Sequence, residues 1–278
     1  MSLLSWEEAV RWFRAQPDNE LAVRNNYFDL PVQKAAERYA YSEEFTEVLR
    51  LLGVGNGRSV LDLGAGNGIA SVALARNGWR VTAVEPDCSD EVGAGAIRSL
   101  VKDAGLEVVL VQSYGEHVLL PDASFDAVHA RQVFHHASSL EAMAKEAARV
   151  LRPGGVLLAT REHVVDDEEQ LAVFRSNHPL HALYGGESAY PVSQYVASFE
   201  AAGLRVVRVW GPVETILNFY PGTEAERQNM IRQMVAVRWG GFGRWLACLR
   251  MFRVRQMKQM TSQDHTPGRL FSFLFEKS

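Results

Sequence analysis

Asp62, the glycines at 64, 66 and 68, and Glu85 seventeen residues beyond the last of them are the residues whose types and spacing point most clearly to chemistry. Glycines let a backbone turn tightly and let a ligand approach where a Cβ would block it. A carboxylate at the end of the next strand can accept hydrogen bonds from two ribose hydroxyls, as in nucleotide-type cofactor sites. The spacing narrows the cofactor. A dinucleotide loop reads G-x-G-x-x-G, and counted from Gly64 its last position is Ile69. There is no G-x-x-x-x-G-K-S/T phosphate loop either. Asp62 would stand close to a positive group, which a pyrophosphate is not, so the expected ligand carries both a ribose and a cation.

The elements that must hold these residues can be read around them. Ser59 to Leu63 is a short apolar strand, a helix starts near Ile69, and Val81 to Val84 is a second strand that ends in Glu85. The segment Asp62-x-Gly64-x-Gly66-x-Gly68 resembles motif I of the class I S-adenosylmethionine-dependent methyltransferases. Three further blocks fit the same family in order and spacing: Leu119 to Val128, then Val133-Phe134-His135-His136, then Ala148 to Leu158. The set is similar to the small-molecule branch that includes the quinone-biosynthesis C-methyltransferases. The resemblance covers roughly residues 40 to 160 plus the C-terminal strand. It implies that S-adenosylmethionine lies against Asp62, Gly64, Ala65, Gly66, Gly68, Glu85, Pro86, Tyr114, Gly115 and Arg131. One position departs from the pattern. The branch usually carries an Asp for the adenine amino group where Tyr114 stands, before Gly115 and Glu116, and the Tyr114 ring can instead stack on adenine.

Strands near 59–63, 81–85, 108–112, 125–130 and 156–160 alternate with helices, which argues a parallel sheet. The expected fold is α/β, a doubly wound, mainly parallel seven-stranded Rossmann-like sheet. The clearest helix starts at Leu140, with Ser138-x-x-Glu141 as its capping box and Pro153-Gly154-Gly155 after it. Residues 1–52 read as an N-terminal helical lid, 53–211 as the cofactor-binding core, 212–268 as a helical insertion and 269–278 as the closing strand. If the lid faces the pocket, Tyr27, Tyr39 and Tyr41 are its candidate contacts; core packing is the other fate of such aromatics.

Methyl transfer from a sulfonium needs alignment above all, which can supply roughly 7–11 kcal/mol for well-oriented partners. A base is needed only if the acceptor must lose a proton. Open α/β sheets bind ligands at the C-terminal ends of their strands. That rule selects His135 and His136 after the fourth strand and Arg161, Glu162 and His163 after the fifth; the histidines and Glu162 serve either as proton acceptors or as groups that shape the site. His178, His181 and Tyr184 lie in a glycine-containing connection with Glu187 that either closes over the substrate or is an ordered surface crossing. Two histidines three apart plus a carboxylate hint at a metal, but nothing nearby in sequence supplies a further ligand, so no metal is expected.

Composition sets the class. The 278 residues are 47% apolar and 22% charged, ordinary for a soluble globular chain. Two cysteines make no disulfide or metal framework, and no signal-like or membrane-length apolar run is present, so a cytoplasmic setting is expected. The net charge of −4 hides an asymmetry: Arg227 to Lys258 holds eight Lys or Arg and no acid, leaving −12 for the rest. This segment is either a solvated helical face or a site for an anionic partner, with Arg238 and Arg244 the candidate substrate contacts. A small anionic molecule ranks above nucleic acid, because the strip is short and the chain as a whole is acidic. The function expected is methylation of oxygen, nitrogen or carbon on a small molecule. The rivals are a catalytically silent cofactor-binding scaffold or sensor, and an RNA methyltransferase, whose binding would weaken steeply with salt. The sequence leaves the oligomeric state open.

Overall fold

The computed structural model describes residues 3–246 and 249–278, apart from the side chains of 238–246. Strand β1 (Ser59–Leu63) lies near the middle of a seven-stranded sheet. Its neighbours are β2 (Arg80–Val84) and β4 (Phe125–Arg131), both parallel to it. Beyond β2 lies β3 (Val108–Val111), and beyond β4 lies β5 (Leu151–Val164), again parallel. The last two strands are β6 (Leu204–Trp210) at the edge and β7 (Arg269–Lys277) between β5 and β6. β7 runs antiparallel to both. The order 3-2-1-4-5-7-6 is the doubly wound, mainly parallel arrangement expected, and the topology switches between β1 and β4. Ligands bind open α/β sheets at such a point.

The central strands are apolar runs because both faces of the sheet are covered. Successive side chains point to opposite faces. Leu61 and Leu63 enter one core with Val128 and the helix α7 (Leu140–Val150). Val60 enters the other, with α5 (Ile69–Arg76) and the N-terminal helices α3 (Val32–Ala40) and α4 (Glu43–Leu52). Phe271, Phe273 and Phe275 alternate along β7 and all join the first core. Asp62 is buried on the Val60 side, an acid where the pattern calls for an apolar residue.

Several local expectations shift. The cap of α7 is Ser139, whose hydroxyl accepts from Ala142 N at 3.2 Å; Ser138 sits one residue outside. Strand β5 starts at Leu151 and carries Pro153-Gly154-Gly155 within it, because Leu151 pairs with Phe125 before the register slips and resumes at Val156. The N-terminal segment forms α1 (Trp6–Ala15), α2 (Glu20–Asn25), α3 and α4. Its tyrosines do not face the site: Tyr27 and Tyr39 are core residues and Tyr41 is exposed. Trp6, Phe13 and Phe28 reach the pocket instead. Arg11 and Arg14 tie α1 to Glu91 in the loop after β2, at 2.8 and 2.6 Å.

Between β5 and β6 lie α8 (Glu168–Asn177), α9 (His181–Tyr184) and α10 (Val192–Ala201). Between β6 and β7 lie α11 (Glu224–Leu246) and α12 (Arg250–Gln263), which meet through Ile231, Val235 and Met257. Arg227 finds an acid just outside the acid-free stretch, Glu224, at 2.6 Å. Arg238 and Arg244 fall outside the described side chains. No described helix is long and apolar enough to cross a membrane.

Candidate active site

Two clefts meet at the C-terminal end of β1. The larger, about 720 Å³, is lined by Gly64, Gly66, Glu85, Pro86, Tyr114, Gly115 and Met143 among others. That volume lies within the range of small-molecule and cofactor sites. Gly64 has φ +65, and a Cβ there would come within 2.7 Å of the Val133 side chain. Gly66 has φ +55, and a Cβ there would meet no protein atom within 4 Å, so the space above this turn is open. Gly68 lines neither cleft; it is the left-handed cap from which α5 starts.

Glu85 stands at the end of β2. Its Oε2 accepts from Gly66 N at 2.7 Å and its Oε1 from Asp87 N at 3.0 Å. Each oxygen keeps a lone pair for a hydroxyl. Burial pushes its pKa up to about 7, against the two amide hydrogen bonds, which favour the ionised form. The native state therefore holds a proton on Glu85 between about pH 4.5 and 7 where the unfolded chain has lost it, so this group lowers stability as pH rises through that window. A ligand whose hydroxyls donate to the carboxylate expels that proton. Its affinity should rise with pH between about 6 and 8, approaching tenfold per unit below the pKa, and then level off. Titration calorimetry with S-adenosylhomocysteine across this range checks it, and a flat profile would disprove it.

Tyr114 is 72% exposed at the rim of the larger cleft, free to turn over a ligand. Asp62 faces the smaller cleft and is already held: Oδ2 accepts from Ser71 Oγ at 2.6 Å, and Oδ1 lies 3.0 Å from His129 Nδ1. Arg131 reaches the same cleft but is paired with buried Glu44 at 2.7 Å and lies against the rings of Tyr27 and Tyr39. Glu44 escaped sequence reasoning because 87 residues separate it from Arg131. Gln132, which follows β4 with φ +58, was missed as well, and it lines both clefts. A non-glycine residue in that conformation is uncommon and often marks a functional turn.

The smaller cleft, about 200 Å³, is lined with imidazoles: His135, His136, His163 and His178, with Glu187 beside them. Glu162 lies behind this lining. An irregularity in the β5–β7 pairing, with Arg161 at φ +60, precedes it. Its Oε1 accepts from Val133 N at 3.1 Å, and its Oε2 from His135 N at 3.0 Å and His135 Nδ1 at 2.7 Å. Burial raises the Glu162 pKa against those amide bonds. Burial also lowers His135 well below the usual imidazole value, with like charge from His136 and His163 adding to it. His163 Nδ1 donates to Gly268 O at 2.7 Å. Tyr184 donates to Glu187 Oε1 at 2.7 Å and its ring packs at a tilt of 59° against Trp6 with centres 4.7 Å apart, so α9 and α1 meet beside the site. His181 lines neither cleft.

Comparison with known proteins bears on the domain and the fold. Residues 61–159 match the family model described as "Methyltransferase domain". The ubiquinone biosynthesis O-methyltransferase of Agrobacterium fabrum is 24% identical over 188 residues, 65% of this chain and 74% of that one. The dimethylglycine N-methyltransferase of Parasynechococcus marenigrum is 34% identical over 156 residues, 55% of this chain and only 53% of the relative. Among solved structures, a putative sarcosine dimethylglycine methyltransferase from Galdieria sulphuraria superposes with a TM-score of 0.61 at 17% identity, covering 98% of both chains.

The fold and the glycine cleft thus define a protein of the nucleotide-cofactor-binding α/β class. More particularly, residues 61–159 carry a methyltransferase domain, and the chain is similar to S-adenosylmethionine-dependent small-molecule methyltransferases. The residues present fit that cofactor. The open space over Gly66, the spare lone pairs of Glu85 and the size of the larger cleft are what an adenosine requires.

Proposed function

We propose that the chain methylates a small, anionic acceptor held in the imidazole-lined cleft, with S-adenosylmethionine in the glycine-lined one. The observation that carries this reading is the junction of the two clefts, which share Trp6, Gly64, Gly66, Gln132 and His136. A ligand reaching along the glycine turn would present its far end to the second cleft. Bound there, the cofactor supplies an activated methyl group: the acceptor's lone pair forms the new bond as the carbon–sulfur bond breaks, leaving neutral S-adenosylhomocysteine.

The chain's own residues orient the two partners, which is the main catalytic requirement of such a displacement. Glu85 takes the ribose end, and Gly64 and Gly66 admit the chain of the ligand. Trp6 and Tyr184 keep water out. Glu162 is a positioning residue, because all its hydrogen bonds go to the turn that carries His135. The small volume of the second cleft supports a small acceptor over a polymer, and its imidazoles are the groups that can meet an acidic one, since Arg131 is already paired with Glu44. The test is release of S-adenosylhomocysteine in the presence of a panel of hydroxy acids, phenolic acids and amino acids, each with its neutral analogue. Faster release with the acids supports the reading. Cofactor binding without turnover on any acceptor would favour a scaffold instead.

A further inference from the structure

The buried carboxylate of Glu187 is surrounded in an unusual way. Its Oε1 accepts from Tyr184 and lies 3.7 Å from His178 Nδ1. Its Oε2 faces His135 Nε2 and His136 Nδ1, each at 4.0 Å. These three nitrogen–oxygen separations are too long for hydrogen bonds. They are close to the spacing of two ligands on one ion, which is about 3.4 Å in a tetrahedron with bonds of about 2.1 Å and about 4.2 Å across an octahedron. One nitrogen of His135, one of His136 and a Glu187 oxygen lie within 4.8 Å of one another. His178 Nδ1 is buried with no hydrogen-bond partner.

We propose that His135, His136, His178 and Glu187 form a binding site for a first-row divalent cation such as Zn²⁺. Three imidazoles and a carboxylate are a donor set that suits such ions. The outer groups are of the kind that orient metal ligands. Glu162 holds His135 through Nδ1, which leaves Nε2 toward the cluster, whereas His136 Nδ1 lies 3.1 Å from Gly186 O and would give up that hydrogen bond to bind the ion. A buried carboxylate with one hydroxyl donor lacks the partners an ionised group needs, and a cation among the imidazoles supplies them.

The expectation of no metal rested on looking for ligands near His178 and His181 in sequence. The fold brings the others from the turn after β4, and His181 is not among them. Resting on the two-cleft reading above, the cation would take an oxygen of the acceptor, because His136 lines both clefts.

The experiment uses the full chain without a histidine tag, stripped with chelator and titrated with Zn²⁺ and with Co²⁺ in the absence of cofactor. The expected result is one ion per chain, a visible Co²⁺ absorption band and a raised melting temperature, because the ion binds the folded state alone. Glu187→Gln and His136→Gln should each weaken binding about tenfold or more. His136 is the most exposed of the set, so its variant decides if Glu187→Gln fails to fold, as judged by circular dichroism. No uptake of either ion at micromolar concentration, or unchanged affinity in a folded His136→Gln chain, overturns the proposal. S-adenosylhomocysteine binding is read separately on the stripped protein, so loss of that binding would count against the two-cleft function and not against the metal site.

Discussion

Replacing Glu85 with alanine should weaken S-adenosylhomocysteine binding roughly ten- to a hundred-fold. The carboxylate sits at the end of β2 with a lone pair free on each oxygen, and a hydrogen bond to a charged group is worth about 1.5–3 kcal/mol. At about 1.4 kcal/mol per tenfold, that range gives the predicted loss. The melting temperature of the unliganded chain should hardly move. Burial disfavours the charge in the free protein, so removing it relieves a cost while exposing Gly66 N and Asp87 N to water in an open cleft. Calorimetry beside thermal denaturation checks both halves. Unchanged affinity would take Glu85 out of the site, and a collapse of stability would make its role structural.

The opposite pattern is expected for Glu162. This side chain has 0% exposure, and its oxygens take two backbone amides and an imidazole. Glu162→Ala strands buried donors with no water to replace the acceptor, and each such group costs about 1–3 kcal/mol. A loss of about 3–5 kcal/mol of stability is expected, a large share of what a domain possesses. Where the variant still folds, methyl transfer should fall by about a hundredfold, because a displacement near 1 Å in the His135 turn is enough to spoil alignment. Glu162→Gln keeps the volume but turns an NH2 group toward donors, so it should lie between alanine and the native chain. Urea unfolding and steady-state kinetics measure the two effects. A stable alanine variant with full turnover would contradict the positioning role.

These two acids also mark how far the sequence could be read. The place of Glu85 beside the glycine turn was legible because it is set locally: strand, glycine turn, helix and strand follow within thirty residues, and the turn is written in glycine spacing. The central strands were legible for a similar reason, since an apolar run covered on both faces has little other reading.

Boundaries slipped where two neighbours competed for one job. Ser139 caps α7 in place of Ser138, and Leu151 pairs with Phe125 ahead of the Pro153-Gly154-Gly155 turn. The second cleft was legible only in part. The strand-end rule picked out the histidines and Glu162, but not that His135, His163, His178 and Glu187 converge, because they come from four segments joined only by folding. The Glu44–Arg131 pair is likewise a product of tertiary structure, and so is the presence of Trp6, in place of the tyrosines, in the lining of both clefts. Spacing in sequence carries no information about such meetings.

The most direct measurement of the central claim is calorimetric titration of the full chain with S-adenosylhomocysteine, repeated in the presence of excess NAD. The account predicts a single site per chain whose affinity NAD leaves unchanged and whose occupancy weakens below about pH 7, as the Glu85 carboxyl takes up its proton. Tight binding of NAD with no response to S-adenosylhomocysteine would contradict it.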